Sequence, residues 1–130
     1  MNVLLDTCAM IWCVSEPEKL SAQASAALQA PDTRIYVSAI SCAEVACLSD
    51  AGKIAVVPHW RTWFNNALSD NGWSVVDIDL ETVAEAFSLP GNFHRDPADC
   101  FITATARLNR MVVLTADRKI LDYPHVQSLW

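Results

Sequence analysis

Apolar runs too brief to be helices alternate along this chain with segments patterned for helices, and that alternation restricts the fold more than any other feature. Val3-Leu4-Leu5 ends at a polar residue and predicts a short strand, fully buried. Met10, Ile11, Trp12 and Val14 predict the helix that follows, broken by Ser15-Glu16-Pro17-Glu18. Ser21 is placed to cap an alanine-rich helix over 22–30, stopped by Pro31-Asp32. A second strand is expected over 34–37. Ile40, Ala43, Cys47 and Leu48 fall at helical spacing within 39–50, closing near Gly52. Pro58 introduces a helix with Trp60, Trp63, Phe64, Ala67 and Leu68 on one face, which predicts packing on the core. There follow a strand over 73–78, a helix over 80–89, a turn at Pro90-Gly91-Asn92 and a helix opened by Asp96-Pro97. A strand over 111–114, a short helix from Asp117 and a last strand over 126–129 complete the pattern. The fold class this predicts is α/β: three layers, α/β/α, with a central parallel sheet of four to five strands in one domain over 1–130.

Composition narrows the function. The 52% hydrophobic content suffices for one core, yet no apolar run approaches the roughly 20 residues of a membrane span. The opening Met-Asn-Val-Leu-Leu-Asp lacks the basic region and cleavage site of a signal peptide, so a cytoplasmic location is expected. The five cysteines include no C-x-x-C pair and are expected to be reduced core residues. Gly52, Gly72 and Gly91 are too scattered for a dinucleotide-binding or Walker loop. A net charge of -6 with nine basic residues speaks against a phosphate-rich partner, unless the acids surround cations and invert the local charge.

The acids fall where such a cluster would form. Asp6, Glu44, Asp96 with Asp99, and Asp117 each sit near the end of a predicted strand, the side on which parallel sheets bind ligands. Each also has a purely structural explanation. Asp6, Asp96 and Asp117 can cap the helices that follow them, Asp99 complements a helix dipole, and Ser41 and Glu44 have capping-box spacing. Capping does not require the acids to converge, whereas a parallel sheet brings the first, second and fourth strand ends together. Carboxylates about 4 Å apart repel by roughly 4 kcal/mol per pair at an effective dielectric near 20. No lysine lies near Asp6, Glu44 or Asp99 in sequence, and Arg95 and Arg118 are too few to neutralise the set. A hard, oxygen-preferring ion such as Mg²⁺ or Mn²⁺ is the expected counter-charge. Zinc is disfavoured because His59, His94 and His125 show no paired ligand spacing.

Four stretches together resemble a PIN domain: Leu4-Leu5-Asp6-Thr7, Val37-Ser38-Ala39-Ile40-Ser41-x-x-Glu44, His94-Arg95-Asp96-Pro97-x-Asp99 with Ile102-x-Ala104-x-Ala106, and Leu114-Thr115-Ala116-Asp117-Arg118. More narrowly, the whole chain is similar to the VapC ribonuclease toxins of bacterial toxin-antitoxin pairs. The resemblance implies a PIN-like α/β/α fold and Mg²⁺- or Mn²⁺-dependent endonucleolytic hydrolysis of RNA leaving 5′-phosphate and 3′-hydroxyl ends. Asp6, Glu44, Asp99 and Asp117 match the four acids of the PIN site, and Asp96 an additional acid of the His-Arg-Asp-Pro subgroup. Asp6 and Asp99 are expected as principal direct ligands, with Glu44, Asp96 and Asp117 acting through water or a second metal. Ala98 and Cys100 stand where similar proteins carry Phe and Arg, so any contact from that arginine is absent here.

Beside the acids, Thr7, Ser38 and Thr115 are placed to hydrogen-bond carboxylate, water or phosphate, or merely to bond their own turns. Arg95 and Arg118 are candidates for phosphate contact. The implied partners are RNA, a VapB-like antitoxin, and a second copy in a homodimer or toxin-antitoxin hetero-oligomer; the face at Trp60 and Trp63, or Trp12, could receive one of them. Competing readings are a housekeeping PIN nuclease and a non-catalytic antitoxin- or RNA-binding module. A receiver or phosphatase domain also places acids at strand ends, but Asp6 is followed by Thr7-Cys8 and not by the Asp-x-Asp a phosphatase needs.

Overall fold

The computed structural model describes residues 1–130 and contains one five-stranded, all-parallel sheet in the order β3-β2-β1-β4-β5. The strands are β1 (Asn2–Leu5), β2 (Arg34–Ser38), β3 (Ser74–Val76), β4 (Val112–Leu114) and β5 (Ser128–Leu129). The helices are α1 (Thr7–Ser15), α2 (Ala22–Gln29), α3 (Ala39–Asp50), α4 (Trp60–Asn71), α5 (Leu80–Ala86), α6 (Pro97–Asn109) and α7 (Arg118–Leu121).

Why β1 is apolar on successive residues is visible in its packing. Successive side chains of a strand point to opposite faces. Val3 and Leu5 join Met10, Val37, Val45, Phe64 and Leu114 on one side, whereas Leu4 joins Ile102, Met111, Val113 and Ile120 on the other. All three are fully buried, so the sheet is the middle of three layers. Trp60, Trp63 and Leu68 of α4 pack against the first cluster, half-buried, as their spacing predicts. They therefore form part of the core and not a free aromatic face.

Several details differ from the sequence reading. The edge strands are shorter than predicted: β3 covers only 74–76 and β5 only 128–129, because each has a single neighbour to pair with. The helix expected over 80–89 ends at Ala86, leaving Phe87 73% exposed. The cysteines are not a buried set. Cys100 is buried and Cys13 and Cys42 are partly so, but Cys8 and Cys47 are exposed, because α1 and α3 turn those positions away from the core. Ser41 does not cap α3; Ser38 does, its Oγ accepting from the Ile40 N–H at 3.2 Å. No helix is long and apolar enough to cross a membrane.

Candidate active site

The sheet order decides where a site can form. From β1 the chain adds β2 and β3 on one side, then β4 and β5 on the other. Met10 of α1, which follows β1, and Ile120 of α7, which follows β4, lie in the clusters on opposite faces of the sheet. A crevice opens at the carboxyl ends of two such strands. The last rung between them is the bond from the Asp6 N–H to the Leu114 carbonyl, at 3.1 Å.

Asp6, Asp96 and Asp117 are all helix caps. Asp6 Oδ1 accepts from the Ala9 N–H at 2.7 Å, Asp96 Oδ1 from the Asp99 N–H at 3.1 Å, and Asp117 Oδ1 from the Lys119 N–H at 2.9 Å. Capping explains each acid locally but does not exhaust it. A carboxylate oxygen has two lone pairs, so every one of these groups keeps acceptor capacity. The cleft beyond β1 and β4, about 420 Å³, is lined by Asp6, Glu44, Asp99 and Asp117 together with Thr7 and Cys8. Glu44 reaches it from the second turn of α3 and Asp99 from the first turn of α6.

A second set of bonds fixes the acids to one another. The buried Thr115 hydroxyl donates to Asp6 Oδ2 at 2.5 Å and accepts from the Asp117 N–H at 3.0 Å, tying the β1 and β4 acids together. Thr7 donates to Glu44 Oε1, and its oxygen lies 2.9 Å from the Ser41 hydroxyl. His94 Nε2 lies 2.7 Å from Asp99 Oδ2. One ligand atom from each of His94, Asp99 and Asp117 falls within 4.8 Å of the others.

Electrostatics separates Asp6 from an ordinary cap. Asp79 caps α5 in full solvent contact, and its carboxyl is held below the usual range by hydrogen bonds from the Thr82 N–H and hydroxyl. Asp6 caps α1 in the same way, yet its pKa is pushed up to about 6. Burial is the main cause; Thr115 and the Ala9 N–H oppose it, while Asp99 and Asp117 add to it. Burial likewise raises Glu44 and Asp99, with neighbouring acids contributing. No lysine or arginine lines the cleft. Crowded carboxylates without a basic partner are relieved by protonation or by a cation. The donors are oxygens of four carboxylates with hydroxyls behind them, the set that suits Mg²⁺ or Mn²⁺.

A PIN-domain family model matches residues 3–126. The chain belongs to the PIN-domain family. Among curated relatives, this PIN domain is 34% identical over 124 residues to ribonuclease VapC22 of Mycobacterium tuberculosis, a match covering 95% of this chain and 93% of the relative. Among solved structures it is similar to the Rickettsia felis VapBC2 complex bound to a promoter DNA fragment, with a TM-score of 0.73 at 16% identity, covering 99% and 98% of the two chains. A toxin-antitoxin complex from Klebsiella pneumoniae gives a TM-score of 0.66 at 19% identity, covering 98% and 96%. The five-stranded parallel sheet flanked by helices is the PIN fold these structures share.

The five acids named from sequence are therefore brought to one end of the sheet, four lining the cleft and Asp96 exposed at the start of α6. The polar residues named with them divide. Thr7 lines the cleft, Thr115 is fully buried behind Asp6, and Ser38 is fully buried as a cap, without access to a substrate. Arg118 pairs with Asp122 at 2.8 Å on the surface, while Arg95 is exposed and has no acidic partner. Sequence reasoning missed two contributors. Ser41, read from sequence only through its capping-box spacing, supports Thr7, and His94, which had stood in the motif and been set aside as a zinc ligand, lies against Asp99.

Proposed function

We propose that this PIN domain is a divalent-metal-dependent endoribonuclease, the toxin of a toxin-antitoxin pair acting in the cytoplasm, and that a VapB-like antitoxin neutralises it. The observation that carries the reading is Asp6, a helix cap driven up to about 6 by burial and by the acids that converge on it. Capping alone gives no reason for that cost. The 34% identity to a ribonuclease over most of the chain supports RNA as the substrate. The toxin-antitoxin complexes among the structural neighbours support the fold, and with it the choice of partner for test.

In this reading Asp6 and Asp99 bind Mg²⁺ or Mn²⁺ directly, and Glu44, Asp117 and Asp96 act through water or a second ion. The bound ion supplies an activated water at neutral pH and neutralises charge on the phosphoryl oxygens. Thr115 holds Asp6 and the start of α7 in register, and Thr7 with Ser41 holds the Glu44 carboxylate. Glu44, half-buried and raised in pKa, is suited to accept the proton of the attacking water. Attack in line at phosphorus breaks the bond to the 3′ oxygen, leaving 5′-phosphate and 3′-hydroxyl ends. Arg95, exposed, unpaired and on the loop that carries His94, is our candidate for contact with a phosphate next to the cleft, which it does not itself line. The test is cleavage of a structured RNA by the purified protein with Mg²⁺ or Mn²⁺. Activity should stop on chelation and be lost in Asp6→Asn and Asp99→Asn; cleavage retained by either variant would sink the assignment.

A further inference from the structure

The geometry points to His94 as the positioning residue for Asp99: its Nε2–H donates to Asp99 Oδ2 and leaves Oδ1 as the oxygen presented to the cation. This rests on the metal-site reading above and deepens it. Asp99 has a backbone N–H tied to Asp96 but, without His94, nothing to fix the rotation of its carboxyl group. The 2.7 Å separation is a charge-assisted hydrogen-bond length. A hard ion such as Mg²⁺ prefers oxygen, and Nε2 cannot share its proton with Asp99 while offering the same lone pair to a metal. Donation to Asp99 is thus the role that fits, even though a ring nitrogen of His94 lies within 4.8 Å of a carboxylate oxygen of Asp117.

The loop between α5 and α6 is built to hold that ring still. The Tyr123 hydroxyl donates to the Pro90 carbonyl at 2.5 Å, and the Phe93 ring lies 4.6 Å from the Tyr123 ring and 4.3 Å from the imidazole. The Cys100 thiol donates to the His94 carbonyl at 3.3 Å. It thereby fastens the residue that orients the acid next to it.

The test is Mn²⁺ binding, followed by electron paramagnetic resonance on wild type, His94→Ala and His94→Gln, with the apo proteins' melting in chelator as the folding control. Losing an outer-shell partner of a metal ligand weakens binding by about 10–100-fold, the result expected for His94→Ala, whereas the glutamine amide should restore affinity to within about threefold of wild type. The spin-echo signal of wild-type-bound Mn²⁺ should lack the nitrogen modulation of a coordinated imidazole. Unchanged affinity in His94→Ala overturns the inference, and so does a glutamine variant as weak as alanine or an imidazole nitrogen in the Mn²⁺ signal. Wild-type protein that binds Mn²⁺ in the expected pattern but leaves RNA uncut removes the ribonuclease reading and keeps this role for His94. Protein that cuts RNA while His94→Ala keeps full affinity does the reverse, and wild type without Mn²⁺ affinity overturns both.

Discussion

Asp6→Asn should stabilise the metal-free protein while abolishing its activity, and the size of the gain follows from the site. An unfolded chain titrates Asp6 near 3.8, whereas the folded chain holds its proton until about pH 6. Between those values the folded state binds the extra proton, so stability falls as pH rises through this window, and above it the loss is complete at about 3 kcal/mol. Asparagine has no charge to desolvate and is as good an N-cap, so the bond from the Ala9 N–H persists. The amide must face the Thr115 hydroxyl where the carboxylate accepted from it, an exchange costing about 1 kcal/mol. A net gain of about 2 kcal/mol at pH 7.5 follows, on the order of 6–8 °C in melting midpoint. At pH 5 the wild-type carboxyl is mostly protonated, and the gain should shrink by about 1.4 kcal/mol. Thermal and urea melts of both proteins in chelator, at the two pH values, read this directly. If Asp6→Asn instead destabilises by the same amount at both, Asp6 is an ordinary cap like Asp79 and the convergence argument is wrong. Saturating Mn²⁺ should then reverse the order, raising the wild-type midpoint and leaving the variant's where it was.

Other expectations follow from the same geometry. Thr115→Val removes the donor to Asp6 and the acceptor of the Asp117 N–H inside the fold, and should cost about 1–3 kcal/mol in urea melts; a change below the error of the melt would mean those bonds add nothing. Mn²⁺ affinity should fall as pH drops through about 6, since protonation of Asp6 competes with the ion, and a flat calorimetric profile between pH 5 and 8 would exclude Asp6 as a ligand. Leu4→Ala, opening a cavity on the face opposite Val3 and Leu5, should cost about 2–5 kcal/mol, and a loss much smaller than this would contradict a sheet covered on both sides.

The sequence made the centre of the fold legible because β1 and β4 are buried on both faces, β2 packs on both with Ile35, Tyr36 and Val37, and each shows a short apolar run followed by Asp6, Thr115 or Ser38. Its edges were less legible: 73–78 and 126–129 carry enough apolar residues for longer strands, but an edge strand extends only as far as its single neighbour pairs with it. Asp6 and Asp117 were legible for a related reason, since each closely follows an apolar strand, whereas Glu44 and Asp99 sit on α3 and α6 and were legible through their motifs. What escaped was everything set by contact across the fold. Ser41 has capping-box spacing from Glu44, yet the helix starts three residues earlier and the hydroxyl serves Thr7. Cys8 and Cys47 sit in apolar helices whose inward faces are fixed by packing that local spacing does not determine. His94 belongs to no strand or helix, and its ring meets Asp99 from a loop that Tyr123 and Cys100 fasten, contacts that no local pattern encodes.

The most direct test of a cation held by these acids is an anomalous difference map from crystals of the protein soaked in Mn²⁺. The account predicts a peak in the cleft between the carboxylates of Asp6 and Asp99, with Asp117 and Glu44 around it and His94 outside direct contact. A soaked crystal with no peak among these residues, or with one only elsewhere on the surface, would contradict it.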